Sequence, residues 1–409
     1  MKIIGALHVI TARQSVLAVS LLQYIAIFYL LKPDDFFVFG VLMICSIYCR
    51  NVFEAVLQPS AINYAPHATQ SLAYHAHYFV IFFVSYFLAR GDLLLLVCSI
   101  SVGFNQLLFN PYFSPYFSNA YAAKKYFRLS LCQACADLLC LIFGFTLFIM
   151  TSSVYCLVIR FLLYPIFLLI FCRMYLDGTY KAHTRTKQPQ RSLLYLNMQH
   201  FFGFLGRSGD RILIVSLIDP VVFAFYDRAM TGLRFIYSAL SQPLTPYVLI
   251  QFKKIRDDDE KDVVQYLARF SFCTYLFGWL IFWALSLILP LFDRFIPTEW
   301  LDAIVYLKAL IWLIPLNMTI FNASSFFIAL HREDLNLLSG ILSAFSIIFA
   351  FAVGLLLGGI QTALIFLVIA LAVNVAQVYT LILYNHGLRA YFRFYLIPAF
   401  HVTMFLLVS

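Results

Sequence analysis

Six arginines and four carboxylates stand inside segments that are otherwise apolar: Arg50, Arg160, Arg207, Arg211, Arg228 and Arg234 against Glu54, Asp137, Asp210 and Asp227. An ion at the centre of a membrane span costs roughly 2.5 to 3.5 kcal/mol even on the lenient insertion scale, so each needs a partner or a polar cavity. Arg50 and Glu54 lie four apart and can pair along one helix face. Arg211 and Asp227 flank a short turn near Ile218 to Pro220 and lie at similar depth, roughly 10 Å from it at 1.5 Å per residue. Asp210 with Arg228 fits the same depth equally well. Internal ion pairs would hold the bundle together, but the arginines outnumber the carboxylates by about two. An anionic ligand would complete them, and guanidinium forks match phosphate oxygens with two parallel donors. Arg160 lies near the outer end of its segment and can snorkel. Tyr48, Tyr226 and Tyr237 stand near the arginines and can stack on sugar rings.

The positions of two of these arginines suggest a duplication. Arg50 and Arg234, about 184 residues apart, each run on to a Gln-Pro, at Gln58-Pro59 and Gln242-Pro243. A charge kept at matching places in two apolar segments points to a polar cavity between two halves.

The elements that must position these groups follow from composition. With 63% apolar residues, 11% charged and mean hydropathy +0.88, most of the chain is solvated by acyl chains. The fold class is all-α and polytopic. A hydrocarbon core about 30 Å thick takes about 20 residues per helix. On that ruler there are about thirteen spans, at roughly 14–31, 36–58, 73–89, 93–113, 129–150, 154–175, 195–217, 221–250, 268–291, 302–330, 336–357, 361–384 and 392–409. The first serves as an anchor, because Arg13 interrupts any signal-peptide pattern.

Basic residues fix the expected orientation, with the N-terminus cytoplasmic. Alternate loops then carry Lys124, Lys125 and Arg128, the run Lys181 to Arg191, Lys253 to Lys261, Arg332, and Arg389 with Arg393. The net charge of +9 therefore reflects topology and anionic headgroups, not nucleic acid. The widest break in hydrophobicity lies between Cys172 and Ser192 and gives the domain organisation: an N-terminal lobe 1–176 with spans one to six, a cytoplasmic loop 177–194, a C-terminal lobe 195–386 with spans seven to twelve, and an extra transmembrane helix 387–409. Each half starts and ends inside, so the halves are parallel repeats.

Chemistry of other kinds finds little footing. The nine cysteines are scattered, and Cys132-x-x-Cys135 has no second ligand pair for zinc. His75 and His77 flank span three without a partner motif, and His8 and His200 stand alone. There is no phosphate-binding loop for ATP, and the sequence calls for no metal and no cofactor. The outer loops are short, which weighs against a polytopic glycosyltransferase or sugar polymerase, and no enzyme activity is expected.

Two stretches carry a resemblance. Gly206-Arg-Ser-Gly-Asp-Arg211 running through Ile218-Asp-Pro220 to Phe223-Ala-Phe-Tyr-Asp-Arg-Ala229, and Phe292 to Trp300, resemble the bacterial polysaccharide exporters, or O-antigen flippases, of the multidrug/oligosaccharidyl-lipid/polysaccharide superfamily. Ala224 stands where that family usually has glycine. The resemblance implies two six-helix lobes around a central cavity, as in multidrug (MATE) transporters, lined by spans one, two, seven and eight. It implies a flippase moving an undecaprenyl-diphosphate-linked oligosaccharide across the bacterial inner membrane by alternating access, for O-antigen or exopolysaccharide assembly. Arg50, Arg207 and Arg234 would bind the diphosphate, with Arg211 and Arg228 nearer the outer gate. Glu54, Asp210, Asp227 and Asp137 would form salt bridges or carry coupling, to H+ or Na+. The alternatives are a multidrug or metabolite antiporter of the same superfamily and a polytopic polysaccharide polymerase.

Overall fold

The computed structural model describes residues 18–52, 72–122, 125–176, 190–258, 260–292, 294–320, 323–330, 332–384 and 393–408. Every regular element among them is helical. In chain order these are α1 (Ala18–Leu30), α2 (Pro33–Val52), α3 (Leu72–Ala89), α4 (Leu93–Ala122), α5 (Tyr126–Thr151), α6 (Val158–Tyr175), α7 (Gln190–Leu217), α8 (Pro220–Asp258), α9 (Glu260–Phe292), α10 (Leu301–Leu310), α11 (Leu313–Ile320), α12 (Ala323–Ala329), α13 (Glu333–Tyr384) and α14 (Arg393–Val408). Short 3-10 turns precede α6 and α10.

Large apolar side chains face outward along the helices, among them Phe79, Phe83, Leu93, Met150, Leu287 and Leu356. In water such a surface would aggregate; in a bilayer it is the solvent-facing surface, and the helices satisfy their own backbone groups. The chain is a multi-pass membrane protein.

The helices fall at the positions hydropathy indicates, but only some could cross a membrane on length and apolarity alone. Among the described residues these are Leu93–Phe113, Phe127–Thr151, Val154–Tyr175, Val263–Leu291 and Asp334–Leu383, with Ala18–Leu30, His75–Ala89 and Tyr395–Leu407 shorter. Two helices, α7 and α8, carry the ion cluster and so fall outside that set. A further crossing is broken: Thr298–Leu310 and Leu313–Phe327 meet at 55°. The region between α8 and α9, expected as a partly helical loop, is helix up to Asp258 and again from Glu260.

Asp334–Leu383 is too long for one crossing and folds back on itself. At 1.5 Å per residue its length would be about 75 Å against a core of about 30 Å. Gly359, at φ +73°, breaks the helix in a conformation open chiefly to glycine. A Cβ on Gly354 would stand 2.6 Å from the Cα of Ala363, an approach that a straight helix forbids for residues nine apart. Hydrogen bonds from Ser346 to Gln377 (3.2 Å) and from Asn374 to Ser343 (2.9 Å) tie the two arms. The element is therefore an antiparallel hairpin, matching the two spans expected at 336–357 and 361–384.

The chain divides into two compact units: Met1–Phe204 with Ile214–Ala224, and Leu205–Leu213 with Phe225–Ser409. The division runs through α7 and α8. In the first unit, polar rungs lock α2 to α4: Gln106 donates to Ser46 at 2.7 Å, and Asn110 donates to the Cys49 carbonyl at 3.1 Å. Asn105 donates to the Leu162 carbonyl of α6 at 3.0 Å. In the second unit, Trp300 is fully buried edge-on to Phe225 at 6.0 Å, and α14 buries His401 against Tyr275, Trp279 and Trp312.

Candidate functional site

The second unit contains an ion cluster between α7 and α8. Asp219 opens α8, its carboxylate accepting from the Val221 N–H at 2.7 Å, so the hairpin is tight and equal counts from the turn bring residues to equal depth. Arg211 Nε reaches Asp227 Oδ1 at 3.0 Å, and Arg228 reaches Asp227 Oδ2 at 3.3 Å. Arg211 also donates to the Thr231 hydroxyl at 2.9 Å. Asp210 accepts from the Tyr226 hydroxyl at 2.5 Å. Of the two pairings open from sequence, the structure holds Arg211 with Asp227, while Asp210 bonds to a phenol.

The side chains of Arg211, Arg228 and Asp227 are 2%, 1% and 3% exposed, so both guanidiniums lie inside the unit with Asp227. Tyr226 and Tyr48 are likewise fully buried. Arg207, by contrast, is exposed, and Arg234 is partly exposed, with a guanidinium nitrogen donating to the Arg207 carbonyl. This contact joins the two cations in one unit: the Arg234 side chain is anchored on the backbone of Arg207, whose own side chain projects outward.

In the first unit Arg50 ends α2 with its side chain 41% exposed. One nitrogen reaches Asp137 at 3.4 Å, and the guanidinium lies over the Tyr164 ring at 4.9 Å. Gln106, Asn110, Gln133 and Tyr164 line a cleft with it. Glu54, the partner expected from spacing, lies outside the described residues, as do Gln58-Pro59 and His8. Arg50 and Arg234 therefore have different local partners, one a carboxylate and an aromatic face, the other a backbone carbonyl. Arg160 does not snorkel: it is 6% exposed, donates to Gln23 at 2.5 Å and packs over the rings of Phe39 and Phe161.

Sequence reading missed a second polar centre. Tyr48 of α2 bonds His77 Nδ1 of α3 at 2.5 Å, and His77 Nε2 bonds Asn197 Oδ1 of α7 at 2.7 Å. His200, one turn after Asn197, places its ring 5.8 Å from that of His77 and 5.5 Å from that of Tyr48. The two histidines thus do not stand alone. Histidine inside an apolar helix, with Asn three residues before one of them, was the available signal. Among the described residues no group of three or more His, Cys, Asp or Glu could hold a metal ion.

At the turn between α3 and α4, Asp92 caps the Leu95 N–H at 3.0 Å and accepts from Tyr155 at 2.5 Å. The Tyr155 hydrogen bond is the largest influence holding this carboxyl below its ordinary value.

Comparisons with known proteins agree with this architecture. A family model described as "Polysaccharide biosynthesis protein" matches residues 68–305, more than half of the chain. No curated protein matches it in sequence. Among solved structures, the chain is similar to the lipid II flippase MurJ in an inward closed conformation, with a TM-score of 0.66 at 13% identity over 100% of this chain and 93% of that one. It is also similar to an inward-facing multidrug resistance MATE family transporter of the MOP superfamily, with a TM-score of 0.65 at 12% identity over 99% of both chains. At such identities the likeness speaks for the fold alone. With the family model matched over more than half of it and this fold running along its whole length, the chain belongs to the polysaccharide biosynthesis protein family and has the polytopic all-helical fold of these structures.

Proposed function

We propose that the chain is a flippase that carries an undecaprenyl-diphosphate-linked oligosaccharide across the bacterial inner membrane, for O-antigen or exopolysaccharide assembly. In this reading two six-helix lobes alternate access to a central cavity, with α14 as an additional helix and the N-terminus in the cytoplasm. The observation that carries it is that the Arg50 and Arg207 side chains reach the surface of otherwise apolar helices, with Arg234 held beside Arg207, in a member of a polysaccharide biosynthesis family. A lipid-facing guanidinium would be costly, whereas a diphosphate offers four or more oxygens in the fork geometry that arginine matches. The similarity to a flippase fold supports the same reading.

An antiporter for cationic compounds would need a carboxylate open to its cargo. Asp227 and Asp210 are buried against Arg211, Arg228 and Tyr226, and Asp137 is 12% exposed beside Arg50. Among the described residues this favours the anionic cargo. The test is a deletion strain: lipid-linked repeat units should accumulate on the cytoplasmic face and surface polysaccharide should be lost, both restored by the intact gene. Normal surface polysaccharide without accumulation, or a gain in drug susceptibility alone, would reject the flippase reading.

A further inference from the structure

The ion cluster of α7 and α8 is internally paired, which leaves the histidine centre of the first unit without a role. It joins three helices. Tyr48 on α2, His77 on α3 and Asn197 on α7 form one hydrogen-bonded line of 2.5 and 2.7 Å, with His200 against both rings of its first two members. All four residues are buried: Tyr48 is 0%, His77 3%, Asn197 6% and His200 3% exposed. Phe204, one further turn along α7, closes the centre against Tyr48 at 4.8 Å.

The bonds dictate how protons are arranged. Asn197 Oδ1 only accepts, so His77 Nε2 carries a hydrogen. In the neutral ring Nδ1 is then the acceptor, and Tyr48 donates to it. A second proton can be added at Nδ1 without moving any heavy atom: Nδ1–H then donates to the Tyr48 oxygen, and the Tyr48 hydroxyl hydrogen turns away. Both protonation states keep two hydrogen bonds on His77, the condition for a buried group that changes charge without unfolding its surroundings.

We propose that His77, held between Tyr48 and Asn197 and with the His200 ring packed against it, forms with His200 a proton-binding pair that supplies the coupling proton for transport. This rests on the transporter reading given above. The polar groups in contact with the pair are Tyr48 from α2 and Asn197 from α7. Two imidazoles with ring centroids 5.8 Å apart in a low-dielectric bundle take up one proton far more readily than two. Protonation converts a neutral bond across α2 and α3 into a charge-assisted one, tightening the line that also holds α7.

The test uses the full-length protein in lipid nanodiscs with ring-labelled histidine, read by NMR between about pH 5 and 8, where imidazole ordinarily changes charge. His77→Gln and His200→Gln identify the two resonances. A single proton uptake seen by both rings is expected. Tyr48→Phe keeps the ring packing and removes the oxygen that accepts from the charged form, so proton affinity should fall about tenfold, a midpoint lower by about one pH unit. Rings that hold one charge state throughout, or an unchanged midpoint in Tyr48→Phe, overturn the proposal. The readout needs no cargo, so it fails independently of the flippase reading. The functional arm is export in cells at equal membrane abundance, where Tyr48→Phe should cut polysaccharide several-fold; wild-type export overturns the coupling role.

Discussion

Substituting Asp227 tests the ion cluster most directly, because one carboxylate serves two arginines. In Asp227→Asn the amide keeps the shape and loses the charge. Arg211 at 3.0 Å and Arg228 at 3.3 Å then face each other as buried cations. Removing one partner from a buried pair costs about 3 to 5 kcal/mol, a large share of the roughly 5 to 15 kcal/mol that keeps a protein folded. Arg228→Met should cost less, since Asp227 keeps its shorter contact with Arg211. The double change Arg211→Met with Asp227→Leu should not recover, because it strips Arg228 of Asp227 as well. The triple change to Met, Leu and Met at 211, 227 and 228 should recover much of the loss, as apolar groups of similar volume replace the whole cluster. The assay is thermal stability of detergent-solubilised protein by fluorescence-detected size exclusion, with membrane abundance measured in parallel. An Asp227→Asn protein as stable as wild type would refute the reasoning, as would a double variant more stable than the triple one.

The exposed arginines should behave differently. Arg50→Ala and Arg234→Ala should leave abundance unchanged and cut export about 10- to 100-fold, as expected for charge-assisted contacts worth about 1.5 to 3 kcal/mol, with Lys rescuing only in part because it lacks the fork; complementation of surface polysaccharide reads this, and normal export from the double Ala variant would return both residues to structural roles. Gly359→Val should destabilise the α13 hairpin, since a β-branched residue does not accept φ +73°, and the measurement is melting temperature against a Gly340→Ala control at a site with open space. Arg160→Leu should be tolerated better than Arg160→Ala, because the guanidinium stem fills space under Phe39 and Phe161 in addition to bonding Gln23; folded yield decides. Cysteines placed at Lys187 and Lys254 should resist labelling by impermeant reagents in intact cells, and labelling from the periplasm at either position would overturn the proposed orientation.

What the sequence settled by itself was the class of molecule and the inventory of its charges. A chain this apolar can expose its side chains only to lipid, and the helix positions followed from apolar runs cut by short polar turns. The pairing of Arg211 with Asp227 was legible as one of two options, because a tight hairpin fixes depth along both helices. Depth alone cannot say which face of a helix a residue occupies relative to its neighbour. That was decided by packing, which put Asp210 against Tyr226 and buried Arg228 beside Asp227. Packing also sorted the arginines, sending Arg211 and Arg228 inside and leaving Arg50 and Arg207 exposed, although all look alike in an apolar run. The histidine centre was invisible for a related reason. Tyr48, His77 and Asn197 come from three helices separated by 29 and 120 positions, and no spacing rule joins residues whose only common address is the interior they share.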